Sequence, residues 1–312
     1  MLEKVSVVIT TKNEEKNIEN CLKSIQLQTW NNIEIIVVDN NSADKTKEIS
    51  RRYTELVFDK GPERSAQRNH GLMDIATGVY GMFIDADMIL TPNLVKTCVE
   101  KIRTSDAAGL HIDEFVLGRG LLSKIRRFER SFYSGTVIDG VRFFRIDSFS
   151  RVGGFDFALP PGPEDWDLDM RLKELGPLKL IPNKSETNFL DNWELRDFTI
   201  VRGAVKLGNF QGIYHNEDEQ TLKRYLHKKS YYSASMNTYQ DKWNGHEELR
   251  KQFGITYRYL LVFIERGGWK KLIVHPILTI FMFALRVAVG YRYIYIQMSK
   301  RQTRDVYGRS KS

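Results

Sequence analysis

The feature that most constrains this chain is an alternation of four strands with three helices within its first 87 residues. Lys4 to Asn13 is an apolar run ending in small polar residues. Glu14 to Gln28 then carries Ile18, Leu22 and Ile25 at helical spacing. Asn32 to Val38 reads as a second strand, Lys45 to Tyr53 as a helix, and Leu56 to Phe58 as a short third strand. Ser65 to Ala76 is helical again, and Val79 to Ile84 is a buried strand that stops at Asp85-Ala86-Asp87. Such alternation predicts a mostly parallel sheet flanked by helices on both faces. Ligands of these sheets bind beyond the carboxyl ends of the strands. Thr10, Thr11, Asn13, Asp39, Ser42, Asp85 and Asp87 all follow strands and should converge on that edge.

Asp85 and Asp87 are alternate residues, and on an extended chain alternate side chains share a face. Two carboxylates at the end of a buried strand suit a hard divalent cation, Mg²⁺ or Mn²⁺, that also holds a substrate phosphate. The competing reading of so short a motif is a solvated turn that merely ends the strand.

The chain has 312 residues, 42% of them apolar and 12% aromatic, enough for a substantial core. Its net charge of +8 suits phosphate-bearing substrates, nucleic acid or an anionic membrane surface. No nucleic-acid motif accompanies that charge, so nucleic acid is not expected as a partner. Cys21 and Cys98 lack metal-ligand spacing and sit in helical patterns, as inert buried thiols of a reducing compartment would. The chain enters a strand almost at once, so a signal peptide is not expected and the reading is cytoplasmic.

Several ordered motifs resemble those of family 2 glycosyltransferases, inverting enzymes with the nucleotide-sugar-binding GT-A fold. They are Val5-Ser-Val-Val-Ile-Thr-Thr-Lys-Asn-Glu14, Ile35-Ile-Val-Val-Asp-Asn-Asn-Ser-Ala-Asp44, Arg64-Ser-Ala-Gln-Arg-Asn69 with Gly71, and Phe83-Ile-Asp-Ala-Asp87. Val152-Gly-Gly-Phe-Asp156 and Glu164-Asp-Trp-Asp-Leu-Asp169 follow, so the set spans roughly the first 180 residues.

The resemblance implies roles. Asp39 would accept a hydrogen bond from the uracil imide of a UDP-sugar. Thr10, Thr11, Glu14 and Asn41 would lie on the nucleotide side, although ordinary strand-end packing explains the threonines as well. Arg64 and Arg68, one helical turn apart, would face the diphosphate, against the alternative of a solvated basic face. Asp87 would hold the cation, with Asp85 near the ribose and the metal's water shell. Asp165 would be the general base and Glu164 the second candidate. His215 would add a late metal ligand, although a lone histidine is more often structural. Asp44 reads instead as a cap for the helix after it. Lys12 stands where many members have proline, and Met88 replaces the acid that often follows the Asp pair. The Gln-x-x-Arg-Trp motif and multiple spanning helices of processive members are not expected here, which favours transfer of single sugars.

On the acceptor side, Gly120 to Gly135 is a basic amphipathic helix in which Leu121, Ile125, Phe128 and Phe132 share a face. It packs on the core as a surface helix, shapes the acceptor cleft, or rests on anionic lipid. Glu164 to Lys173 is a helix whose first turn carries acids, a position the helix dipole also favours.

The expected organisation is therefore a GT-A catalytic domain over residues 1–215, with a nucleotide-sugar half at 1–110 and an acceptor half at 111–215. Residues 216–312 form a helical, partly amphipathic carboxy-terminal region with a polar tail expected after Gln302. Within it, 269–301 combines Trp269, tyrosines, Lys270, Lys271, Arg292, Lys300 and Arg301 around an apolar stretch broken by Arg286. A spanning helix needs about 20 apolar residues, so this segment reads as lying in the headgroup layer rather than crossing it. The expected partners are a UDP-sugar donor, a glycan or polyprenyl-linked acceptor, and an anionic membrane on its cytoplasmic face. A catalytically silent sugar- or nucleotide-binding module of the same fold is the rival reading. A sugar-phosphate nucleotidyltransferase would carry a glycine-rich loop after the first strand, and Thr10 to Asn13 has no glycine.

Overall fold

The structure, a computed structural model, describes residues 2–159, 161–181, 210–233 and 236–309. Its centre is a seven-stranded sheet in the order β3-β2-β1-β4-β8-β6-β9. The strands are β1 Val5–Thr11, β2 Ile33–Asp39, β3 Val57–Asp59, β4 Tyr80–Asp85, β6 Gly109–His111, β8 Val141–Arg145 and β9 Leu178–Leu180. Only β8 runs antiparallel to its neighbours, β4 and β6. A second sheet, in the order β5-β10-β7, joins β5 Met88–Leu90, β7 Glu114–Leu117 and β10 Ile213–Asn216.

Side-chain alternation along β1 explains why both sheet faces are covered. Val5, Val7 and Ile9 point into a core shared with α1 (Ile18–Gln26) and α4 (Leu94–Arg103), where Cys21 and Cys98 are also buried. Val8 points the other way, into a core with Leu72, Phe149, Phe155, Leu168 and Leu172. Leu168 and Leu172 lie on α7 (Glu164–Lys173), and Phe149 on α6 (Ile146–Arg151). Fully burying such side chains contributes roughly 1.5–3 kcal/mol each. A strand buried on both faces reads as a continuous apolar run, as this one does.

Two element boundaries differ from the expected ones for identifiable reasons. The first helix begins at Ile18 rather than Glu14 because the side chains of Asp44 and Thr46 capture the preceding amides. Glu14 N donates to Thr46 Oγ1 (2.8 Å) and Glu15 N to Asp44 Oδ2 (3.1 Å). Asp44 also accepts from the backbone of Thr46, the first residue of α2 (Thr46–Ser50), so the capping reading fits its contacts. The helix expected over Ser65 to Ala76 is α3 (Arg64–Asn69) followed by a π-helical stretch, His70–Ile75. Gly71 lets that stretch press on the sheet, since a Cβ there would collide with Val8 and Val38.

A third core joins α5 (Leu121–Arg130) to the carboxy-terminal helices. Ile125, Phe128 and Phe132 pack with Tyr225, Tyr257, Phe263, Met282 and Leu285. The expected apolar face of α5 is thus real, except that Leu121 is 54% exposed. Over the segment expected to be helical, Thr221 to Tyr239, the described residues are helical at Leu222–Ser233 and Met236–Lys242. The last helix, Pro276–Arg309, runs past Gln302 into the polar residues expected after it. Its first part, Pro276–Tyr295, is long and apolar enough to cross a membrane by length and composition, which corrects the expectation of too short an apolar stretch. The boundary expected at residue 215 falls inside β10.

Candidate active site

Strand register brings the first polar residues together. Thr10 on β1 is level with Asp85 on β4, and Thr11 is level with Asp39 on β2. Thr10 Oγ1 donates to Asp85 Oδ1 at 3.2 Å. Thr11 Oγ1 is buried with no hydrogen-bond partner among the described residues. Asp39 is fully buried, and its two oxygens accept from Ser42 N and Ser42 Oγ, both at 2.6 Å. A uracil N–H reaching Asp39 would therefore use a further lone pair. Asn41 sits exposed in the adjoining turn with a left-handed φ of 50°.

The two acids of the Asp-x-Asp motif do not share a face of one extended strand. Asp85 is the last residue of β4, whereas Ala86 and Asp87 form a turn into β5, which belongs to the other sheet. Their partners differ accordingly. Asp85 Oδ1 accepts from Arg68 Nη2 at 3.3 Å, and Arg64 Nη1 lies 4.0 Å from Oδ2. Burial alone would raise the Asp85 pKa, but Arg68, Arg64 and Arg142 hold it well below the usual carboxylate range. Asp87 Oδ2 lies 3.2 Å from His215 Nε2, while Asp87 Oδ1 is buried with no hydrogen-bond partner among the described residues.

Glu14 faces the same cluster. Burial first, then Asp87, Asp85 and Asp44, push its pKa up to about 7 against a hydrogen bond from Asn17. His215 sits on β10, paired between Met88 and Val116. Burial opposes its charged form, yet Asp87 and Glu114 raise its pKa well above the ordinary value.

The acids of α7 close the opposite side. Glu164 is 2% exposed and accepts from Arg64 Nη2 (3.0 Å) and from Gly162 N. Burial and the neighbouring Asp165 raise its pKa. The Asp165 side chain is 27% exposed, and its Oδ1 accepts from Arg68 Nη1 at 2.8 Å. Of the two acids, Asp165 is therefore the one open to a ligand. Arg68 is itself buried, against the edge-to-face rings of Phe83 (4.4 Å) and Phe155 (5.1 Å). Arg64 is more open and also reaches the hydroxyl of Tyr232 at 3.2 Å. Asp167 and Asp169 have other partners: Arg171 and Trp243 for Asp167, His111 at 2.7 Å for Asp169. They anchor α7 rather than enlarge the site.

Sequence reasoning missed Glu114 on β7, Arg130 on α5 and Arg142 on β8. Glu114 Oε1 accepts from Arg142 Nη2 (3.0 Å) and Oε2 from Arg130 Nε (3.2 Å), and all three side chains are largely buried. An arginine inside the apolar run Val141-Arg-Phe-Phe144 was the one signal available. As for a cation, no group of three His, Cys, Asp or Glu that could hold one is present among the described residues. Two donors, Asp87 and His215, with an unpartnered Asp87 oxygen, nevertheless fit a site whose other ligands are substrate oxygens and water, the usual arrangement for Mg²⁺-type ions.

The architecture is that of the GT-A fold. It superposes on the mannosyltransferase PcManGT from Pyrobaculum calidifontis, solved with GDP-Man and Mn²⁺, with a TM-score of 0.57 at 16% identity, covering 94% of this chain and 87% of that one. Residues 1–349 of S. aureus TarS, solved with UDP, give 0.50 at 18% identity over 96% and 92% of the two chains.

The model of glycosyl transferase family 2 matches residues 6–153 of this chain. The uncharacterized glycosyltransferase YibD of Escherichia coli is 34% identical over 100 residues, which is 30% of this chain and 29% of that protein. The GalNAc(5)-diNAcBac-PP-undecaprenol beta-1,3-glucosyltransferase of Campylobacter jejuni is 32% identical over 108 residues, 31% of this chain and 34% of that enzyme. These matches therefore span about a third of each relative's length.

Proposed function

We propose that this protein is an inverting, metal-dependent glycosyltransferase that moves a single sugar from a UDP-sugar to a glycan or lipid-linked glycan. The observation that carries the reading is the shared guanidinium of Arg68, which holds Asp165 and Asp85 within hydrogen-bond reach of one group. A base and a donor-side acid so close are what a displacement at an anomeric carbon requires.

Asp165 takes the proton from the acceptor hydroxyl as its oxygen attacks the anomeric carbon. The new C–O bond forms on the face opposite the breaking bond to the diphosphate, so the anomer inverts and UDP departs. General-base assistance of this kind contributes roughly 10²–10⁴-fold. Asp87 and His215 would hold Mn²⁺ or Mg²⁺, which when bound supplies Lewis-acid stabilisation of the leaving nucleoside diphosphate. Arg64, partly open, is placed to meet a phosphate, while buried Arg68 orients the acids around it. Thr10, Thr11, Glu14, Asp39 and Asn41 form the nucleotide side of the same edge.

The acceptor is read as lipid-linked because the carboxy-terminal helices expose an apolar surface suited to the cytoplasmic face of a membrane. The undecaprenol-linked substrate in the Campylobacter relative's name supports the same choice. Incubation with a panel of UDP-sugars, with and without Mn²⁺, should release UDP by hydrolysis or by transfer to polyprenyl-linked glycans. Release with no donor under either condition would sink the proposal and leave the rival of a silent binding module.

A further inference from the structure

We propose that Glu114 is a positioning residue for the cation site: it sets the tautomer and orientation of His215, so that Nε2 is presented beside Asp87. This rests on the reading of Asp87 and His215 as the pair that holds the metal.

The His215 ring lies between two carboxylates contributed by different strands. Nε2 is 3.2 Å from Asp87 Oδ2, and Nδ1 is 3.8 Å from Glu114 Oε2. Strand pairing fixes this arrangement, since β10 runs beside β7 with His215 level with Val116. A neutral imidazole binds a cation through one nitrogen lone pair, so the other nitrogen must carry the proton. Without a cation the 3.2 Å approach of Nε2 to Asp87 calls for a proton on Nε2; with a cation in that place, the carboxylate on the Nδ1 side favours the Nδ1–H tautomer and leaves the Nε2 lone pair for the metal.

Glu114 is suited to that task because it is held still. Arg142 Nη2 and Arg130 Nε each donate to one of its oxygens, and Arg130 Nη2 is in turn bound to Asp139 Oδ1 at 2.8 Å. The side chains of Glu114, Arg130, Arg142 and Asp139 are between 0% and 13% exposed. The Glu114 charge is therefore balanced by two arginines, and its carboxylate has little freedom to turn. Without it, a neutral His215 has no reason to prefer Nδ1–H, and the other tautomer aims a proton where the cation should sit.

The test measures Mn²⁺ affinity directly, on the full-length protein at saturating UDP, by electron paramagnetic resonance of free Mn²⁺. Glu114→Gln is expected to weaken Mn²⁺ binding roughly 10–100-fold, as loss of such an orienting partner does. His215→Ala should weaken it comparably, and the double variant should be no weaker than His215→Ala alone, because the two act as one unit. Glu114→Asp, which keeps the charge opposite both arginines but shortens the reach, should fall between wild type and Gln. It decides the question if Gln proves unstable.

Nitrogen NMR of His215 with Mg²⁺ and UDP should show the Nδ1–H tautomer in wild type and a mixture in Glu114→Gln. Unchanged Mn²⁺ affinity in both Glu114 variants, or strictly additive losses, would overturn the role of Glu114 alone. Unchanged affinity in His215→Ala would instead remove the metal pair itself.

Discussion

Arg68 Nη1 lies 2.8 Å from Asp165 Oδ1, and Nη2 of the same guanidinium lies 3.3 Å from Asp85 Oδ1. One buried cation thus ties the start of α7 to the end of β4, across the gap where donor and acceptor would meet. The edge-to-face pair Phe83 and Phe155 packs against it. Lysine offers neither the planar fork nor the guanidinium's contact with the rings. Arg68→Lys should keep the fold and lose transfer far more than donor binding. Arg68→Met should also lower stability by about 3–5 kcal/mol, since it strands buried acids without a counter-charge. Thermal denaturation and separate measurement of kcat and donor KM would check both. A Lys variant with wild-type kcat would mean that Arg68 does not position the acids.

Asp165 and Glu164 are adjacent, yet their surroundings assign them different work. Glu164 is buried and bound by Arg64 and Gly162, with its pKa raised by burial and by Asp165. Asp165 is the more exposed. Asp165→Asn should reduce turnover by about 10²–10⁴-fold while UDP affinity holds, because only the proton acceptor is removed. Glu164→Gln should instead weaken Arg64 placement and raise the donor KM. Single-turnover assays beside UDP titration would separate the two, and the reverse pattern would exchange the roles.

How far the sequence revealed this arrangement depends on the range of the interactions. Periodicity is local, so the alternation through Ile84 and the acids opening α7 were legible. Glu14 was placed inside a helix because spacing does not report that Thr46 and Asp44 take up its amide and its neighbour's. Asp87 was read as continuing β4 because the sheet it turns toward takes one strand from near residue 88, one from 114 and one from 213. Nothing within a few residues of Asp87 announces partners so distant in the chain. Nor does spacing along α5 report that Arg126 and Glu129 are held in buried pairs with Glu217 and Arg286.

Glu14 supplies a pH dependence of defined sign. Its folded pKa is raised from 4.5 to about 7, chiefly by burial and secondarily by Asp87, Asp85 and Asp44. The folded protein then holds this proton more tightly than the unfolded chain does. The favourable contribution is complete below about pH 4.5 and is lost as pH rises through about 7. Glu14→Gln, which cannot ionise, should be progressively more stable than wild type as pH rises from about 5 to about 8. Paired melting curves across that range would test it, and a gap that narrows with pH would contradict the assigned environment.

The last helix carries two opposed faces, and they predict opposite outcomes. Leu278, Met282, Leu285 and Val289 turn inward against α5, joined by Arg286, whose Nη1 lies 3.0 Å from Glu129 Oε1. Ile277, Ile280, Phe281, Val287, Tyr291 and Ile294 turn outward and are 43–72% exposed. Exposed Trp269, Ile273 and Val274 extend that surface, with Lys270, Lys271 and Arg292 beside it. Crossing a bilayer would pull Arg286 from its carboxylate, whereas lying flat buries the outer stripe in the headgroup layer and keeps the inner one docked. Each basic residue near an anionic surface adds about 1 kcal/mol of attraction. Ile280→Asp with Val287→Asp should therefore abolish sedimentation with phosphatidylserine vesicles and leave the melting temperature unchanged. Arg286→Met should do the reverse, melting earlier by the loss of a buried partner. Wild-type protein should come off the vesicles in alkaline carbonate. Retention there would mean that the helix spans the membrane.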